Sequence, residues 1–154
     1  MREGAGQAAI ALMIRLETIT GELYKKCAER FPDYEGFWER LASEEDAHAK
    51  LLGEIADNPA LAAGFAERRQ VAMGPLKFTV NFVDEQRAAV EAPDCTVVNA
   101  LSIARDIEKS ILEANAVRPA PGDPDAVRNM FARISAETTD HRARIESLLS
   151  QLKS

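Results

Sequence analysis

Apolar residues recur at steps of three and four along most of this chain, and each of the four strongest runs is interrupted near its middle by a side chain foreign to a core. The first stripe reads Ile10, Ile14, Glu17, Gly21, Tyr24, Ala28, Phe31, and the second Phe37, Leu41, Glu45, His48, Leu52, Ile55. The third reads Val97, Leu101, Ala104, Glu108, Ile111, Asn115, and the fourth Val127, Phe131, Ile134, Thr138, His141, Ile145, Leu148, Leu152. This period is helical, so the stripes predict four amphipathic helices that bury one face against each other. The apolar positions account for the bundle. The interruptions need a second account, because three stripes carry a carboxylate and both histidines of the chain lie on stripes.

Prolines and glycines set the boundaries. A first helix is expected over residues 7–31, stopped by Pro32, with Asp33 as N-cap of a second helix over 34–56. A third is expected over 96–116, capped by Asp94 or Thr96. Residues 118–124 read as a loop, and Asp123-Pro124 marks the start of a last helix running to Leu152. Between the second and third helices lie residues 57–94, too many for a loop without structure of its own. Asn58-Pro59 followed by 60–69, and Gly74-Pro75 followed by 76–90, read as further helices, although residues 78–83 have strand-like composition. The fold expected is all-α in a single domain, 1–154: a four-helix bundle with one long, partly helical crossover between helices two and three. On that crossover Phe78, Phe82 and Val83 are expected to be exposed, and to form the contact of a homodimer.

The charge balance narrows the function classes. With 19 Lys+Arg against 25 Asp+Glu the net charge is −6, which argues against a nucleic acid or an anionic membrane surface as partner. The longest uncharged run, residues 4–14, has 11 residues, short of the ~20 apolar residues of a spanning helix, and Arg15 and Glu17 follow without a cleavage pattern. Cys27 and Cys95 are too far apart in sequence for a metal-binding Cys pair, and a reduced, cytoplasmic setting is the simpler expectation.

Carboxylates converging in a bundle centre would protonate or unfold the domain unless something positive sat between them. A pair of metal ions does this, and hard carboxylate oxygens with one imidazole per metal suit iron or manganese. Glu45 and His48 form a Glu-x-x-His pair, whose spacing puts both side chains on one helical face. A weak repeat agrees: Glu17 precedes His48 by 31 residues, and Glu108 precedes His141 by 33, so each half of the chain is a hairpin bearing a Glu and then a His.

These residues carry a resemblance. Leu16-Glu17 with Tyr24 seven positions on, Leu41-Ala-Ser-Glu-Glu-Asp-Ala-His-Ala49, and the segment from Asn99 to Ile111 resemble the rubrerythrin-like branch of the ferritin-like superfamily. The resemblance spans most of the chain outside the crossover, and its second piece is the most specific. It implies a non-haem di-iron centre in an antiparallel bundle, with peroxidase, oxidase or iron-handling activity toward peroxide or dioxygen. It also implies Glu17, Glu45, His48, Glu108 and His141 as ligands, with Glu45 bridging, Glu17 and Glu108 terminal, and each histidine anchoring one metal. Where the family has its second Glu-x-x-His, this chain reads Thr138-Thr-Asp-His141, and Glu137 or an exogenous ligand is the expected stand-in for the missing carboxylate. Only 13 residues follow His141, none of them Cys, so the family's rubredoxin-like module is not matched and electrons would come from a separate donor.

Three functions stay open at this stage. The first is a di-iron oxidoreductase, and the second a protein that holds iron or another divalent metal, one or two ions, without turnover. The third is a degenerate ferritin-like bundle whose site has lapsed and which serves as a scaffold; Thr138 favours it, and the two histidines favour the others. Glu44, Arg142 and Arg144 read as solvated side chains beside the stripes.

Overall fold

The structure, a computed structural model, describes residues 2–62, 65, 73–114 and 122–154, with side chains from residue 7 onward. Among these residues every regular element is helical. Helix α1 spans Arg2–Arg30, and α2 spans Glu35–Ala56. A four-residue α3, Pro59–Ala62, precedes α4, Met73–Glu91; α5 spans Val97–Glu113 and α6 spans Asp125–Lys153.

The α1–α2 corner follows from Pro32. Its ring cannot donate the next helical hydrogen bond, so α1 closes with Phe31 N–H on the Cys27 carbonyl. The chain then turns through a short 3₁₀ segment, Pro32–Tyr34, and runs back along α1. Asp33 lies inside that segment and is not the cap: Tyr34 holds the N-cap position without a side-chain hydrogen bond. The start of α5 is capped as expected by Thr96. Its hydroxyl accepts from Asn99 N–H at 3.1 Å, and the Asn99 side chain accepts from Thr96 N–H at 3.0 Å. This reciprocal pair satisfies two of the orphan donors of a helix start.

Helices α1 and α2 form one closely packed pair, and α5 and α6 another. Helix α2 also meets α6, which brings the two pairs face to face. The inner faces hold the core, with Ile10, Leu41, Leu52, Leu101, Phe131 and Ile145 all inaccessible to solvent. At Gly21 the first pair is so close that an added Cβ would lie 3.1 Å from Asp46 Oδ1 and 3.4 Å from Glu45 Cβ. A residue without a side chain lets α1 approach α2 at the height of Glu45.

Two expectations about the elements need correction. The crossover helix expected after Gly74-Pro75 is present as α4, 19 residues long, and packs on α1 and α5. Its β-branched residues Thr79, Val80, Val83 and Val90 are buried at helical spacing, and tertiary packing overrides their strand preference. Of the three crossover residues expected on the surface, Phe78 is 67% exposed, Phe82 is half-buried and Val83 is buried. The stripes also shift by one residue at two ends. Trp38 fills the core ahead of Phe37, and Leu149 ahead of Leu148 and Leu152, because a step of three or four must alternate to follow a period of 3.6. The expected helix over 60–69 falls mostly outside the described residues, as do Asn115 and the greater part of the loop over 118–124. No described helix is long and apolar enough to cross a membrane.

Candidate metal centre

Glu17 on α1, Glu45 and His48 on α2, Glu108 on α5 and His141 on α6 are all buried and meet between the two helix pairs. They form two groups that share one residue. Glu17, Glu45 and His48 make the first, and Glu45, Glu108 and His141 the second; within each group one ligand-type atom per residue lies within 4.8 Å of the others. Glu45 is common to both, and its two oxygens divide between them. Oε2 lies 3.7 Å from His48 Nδ1, and Oε1 lies 3.0 Å from His141 Nδ1. Glu17 Oε2 completes the first group at 3.6 Å from His48 Nδ1, and Glu108 Oε1 the second at 3.5 Å from His141 Nδ1. The imidazole rings stack nearly parallel, with centroids 5.6 Å apart.

Most of these separations exceed hydrogen-bonding range, and the consequence is visible atom by atom. Glu17 Oε2, Glu45 Oε2, Glu108 Oε2 and His48 Nδ1 are buried without a hydrogen-bond partner. A buried polar group left in that state costs about 1–3 kcal/mol, more when charged. Burial and the neighbouring Glu45 push the Glu17 carboxyl well above its usual range. Burial works against charge on the histidines as well, yet the flanking carboxylates outweigh it: Glu17 and Glu45 raise His48 to about 11, and Glu108 and Glu45 raise His141 to about 10. The site draws positive charge inward. A cation between the carboxylates would satisfy the orphaned oxygens and the His48 lone pair together, so the donor set fits one hard metal ion per group.

The carboxylate of Glu108 is held from behind. Tyr24 O–H donates to Glu108 Oε1 at 2.6 Å, and its own burial, with Glu108 and Glu45 nearby, raises the phenol well above its ordinary value. Tyr24 in turn packs against Trp38 at 5.7 Å between ring centroids. Thr138 is buried beside the site, but its hydroxyl donates to the Ile134 carbonyl at 2.7 Å, a back-bond within α6 that commits its proton.

Glu137 is not where the sequence reading expects it. It belongs to neither group and sits behind His48, with Oε1 at 3.4 Å from Nε2 and Oε2 accepting from Arg133 Nε at 2.8 Å. The physical reason is rotation: Glu137 is one residue before Thr138, which holds the Glu position of the Glu-x-x-His pattern, and one residue is about 100° around a helix of 3.6 residues per turn, enough to carry Glu137 to the edge of the site. Burial raises its carboxyl, but Arg133 and His48 more than compensate and hold it below the usual value. Glu44 and Arg144, read from the sequence as solvated, pair instead across α2 and α6: Arg144 Nη2 donates to both Glu44 oxygens, at 2.9 and 3.1 Å. The signal for them was charge complementarity beside the histidine stripe, which periodicity alone does not reveal. No family model, curated protein or solved structure matches this chain.

Proposed function

We propose that this protein is a non-haem di-metal protein of the ferritin-like, rubrerythrin-like type, holding two iron ions through Glu17, Glu45, His48, Glu108 and His141. The observation that carries this reading is the division of Glu45: one oxygen serves each of two buried three-residue groups, as a bridging carboxylate does. Glu17 and Glu108 would be terminal ligands, and each histidine would anchor one ion. When bound, the iron pair supplies redox chemistry toward peroxide or dioxygen, with electrons from a separate donor. The chain's own part is to fix the ligands on four rigid helices, to hold Glu108 through Tyr24, and to keep bulk water from the carboxylates. With the Thr138 hydroxyl committed to the Ile134 carbonyl, Glu45 would be the one carboxylate shared between the two groups.

A second reading has its own observation. The direct 3.0 Å contact of His141 with Glu45 is the geometry of an imidazolium–carboxylate layer, which a scaffold without metal would retain. Anaerobic iron(II) loading, desalting and metal analysis separate the two. About two irons per chain, lost in His48→Ala, is the expected result. No retained iron with the helices intact would leave the scaffold. Peroxide consumption by the loaded protein then separates turnover from storage.

A further inference from the structure

Both cysteines of the chain belong to one corner of the bundle, where the last turn of α1 meets the turn that leads into α5. Arg30 closes that corner. Its Nη2 donates to the carbonyls of Ala92 at 2.7 Å, Pro93 at 2.9 Å and Cys95 at 3.4 Å. Cys27 lies three residues before Arg30 on α1 and is buried in the core, 1% exposed. Cys95 is half-buried and packs against the same core, with its Sγ–H donating to the Thr96 carbonyl at 3.5 Å. Both are free thiols, and the sulfurs are close enough to feel one another: burial, and then Cys95, push the Cys27 thiol up to about 12. Burial raises Cys95 as well, with the Arg30 guanidinium pulling against it.

We propose that Cys27 and Cys95 are a peroxide-responsive thiol pair, reduced at rest and closed by oxidation into a disulfide between α1 and the start of α5. Exposure and charge set the order of events. Cys95 is the sulfur that solvent reaches, and Arg30 beside it favours the thiolate, the reactive form. That thiolate attacks one oxygen of hydrogen peroxide; the O–O bond breaks, hydroxide leaves and is protonated to water, and Cys95 becomes a sulfenic acid. Cys27, shielded from peroxide by the core, then attacks the Cys95 sulfur. The S–S bond forms as the S–O bond breaks, and the hydroxyl leaves with the Cys27 proton as a second water. Two thiols and one peroxide thus give one disulfide and two waters, with the sulfurs losing the two electrons that the peroxide gains. The bond ties the end of α1 to the start of α5, the helices that carry Glu17 and Glu108.

This inference does not depend on the metal centre, so metal-free protein tests it. The protein is treated with hydrogen peroxide, remaining thiols are blocked with N-ethylmaleimide in denaturant, and unreduced tryptic peptides are mapped by mass spectrometry. The expected result is a monomeric chain that has lost both titratable thiols, with the Cys27 and Cys95 peptides joined and both thiols recovered by dithiothreitol. Cys27→Ser should stop at a Cys95 sulfenic acid trapped by dimedone, and Cys95→Ser should leave Cys27 at least about tenfold slower to oxidise. The wild-type map decides by itself, so a Cys27→Ser variant that fails to fold leaves the test intact. Two thiols still titratable after excess peroxide overturn the proposal. So does Cys95 driven to sulfinic acid beside an intact Cys27, or a disulfide joining the Cys95 residues of two chains.

Discussion

Glu45 and Glu17 are both buried carboxylates in contact with His48, but they should answer substitution differently. Because Glu45 faces both groups, Glu45→Gln should weaken both metal positions, whereas Glu17→Gln should weaken only the one anchored by His48. Glu17 also illustrates a conflict between stability and function. Its carboxyl is raised by burial and by Glu45, so the neutral amide resembles the form the metal-free fold prefers. The melting temperature of metal-free Glu17→Gln should therefore equal or exceed that of wild type, while its affinity for the affected ion falls at least about tenfold. Calorimetry with and without metal checks both halves; a variant less stable without metal would contradict the account of Glu17.

The helices owe their limits to local chemistry, and that part is testable without metal. Thr96 and Asn99 close the first turn of α5 reciprocally, and α5 carries Glu108 three turns further on. Thr96→Ala should cost about 1 kcal/mol of unfolding free energy, read from denaturant midpoints, with a smaller loss for Thr96→Ser. The boundaries at Pro32 and Thr96 were legible because they rest on a missing N–H donor and on a cap within three residues. Helix α4 was harder. Its β-branched run from Thr79 to Val83 has the composition of a strand, and only the buried faces of α1 and α5 select the helical period. Trp38 was missed for a related reason: Phe37 and Trp38 lie four and three residues before Leu41, and either could have faced inward.

The charge of the whole centre sets how the molecule should respond to pH. His48 and His141 sit at about 11 and about 10 in the metal-free protein, above the ordinary histidine value of 6.5, and Glu17 is raised as well. A group whose pKa is higher folded than unfolded stabilises fully below its unfolded value and loses that stabilisation as pH rises through the folded one. Metal-free protein should accordingly lose stability on going from about pH 7 to about pH 10, and replacing His48 should flatten that slope. Metal uptake runs the other way, since it displaces those protons and should tighten over the same interval. Thermal melts across this range, with and without metal, should diverge; a metal-free stability that rises with pH would contradict the charge assignment at the two histidines.

Periodicity alone established that this chain is helical, that Glu17, Glu45, His48, Glu108 and His141 share the buried faces, and that Glu45 and His48 lie on one side of α2. Those are properties of single helices, and a spacing of three or four suffices to read them. What required the assembled molecule is how those faces meet. The axial offset and rotation of α2 against α6 decide that Glu45 divides its oxygens between two histidines, that Glu137 stands behind His48, and that Arg144 reaches Glu44. Offset and rotation are set by close packing between residues distant in sequence, such as Gly21 against Glu45, so no local pattern encodes them.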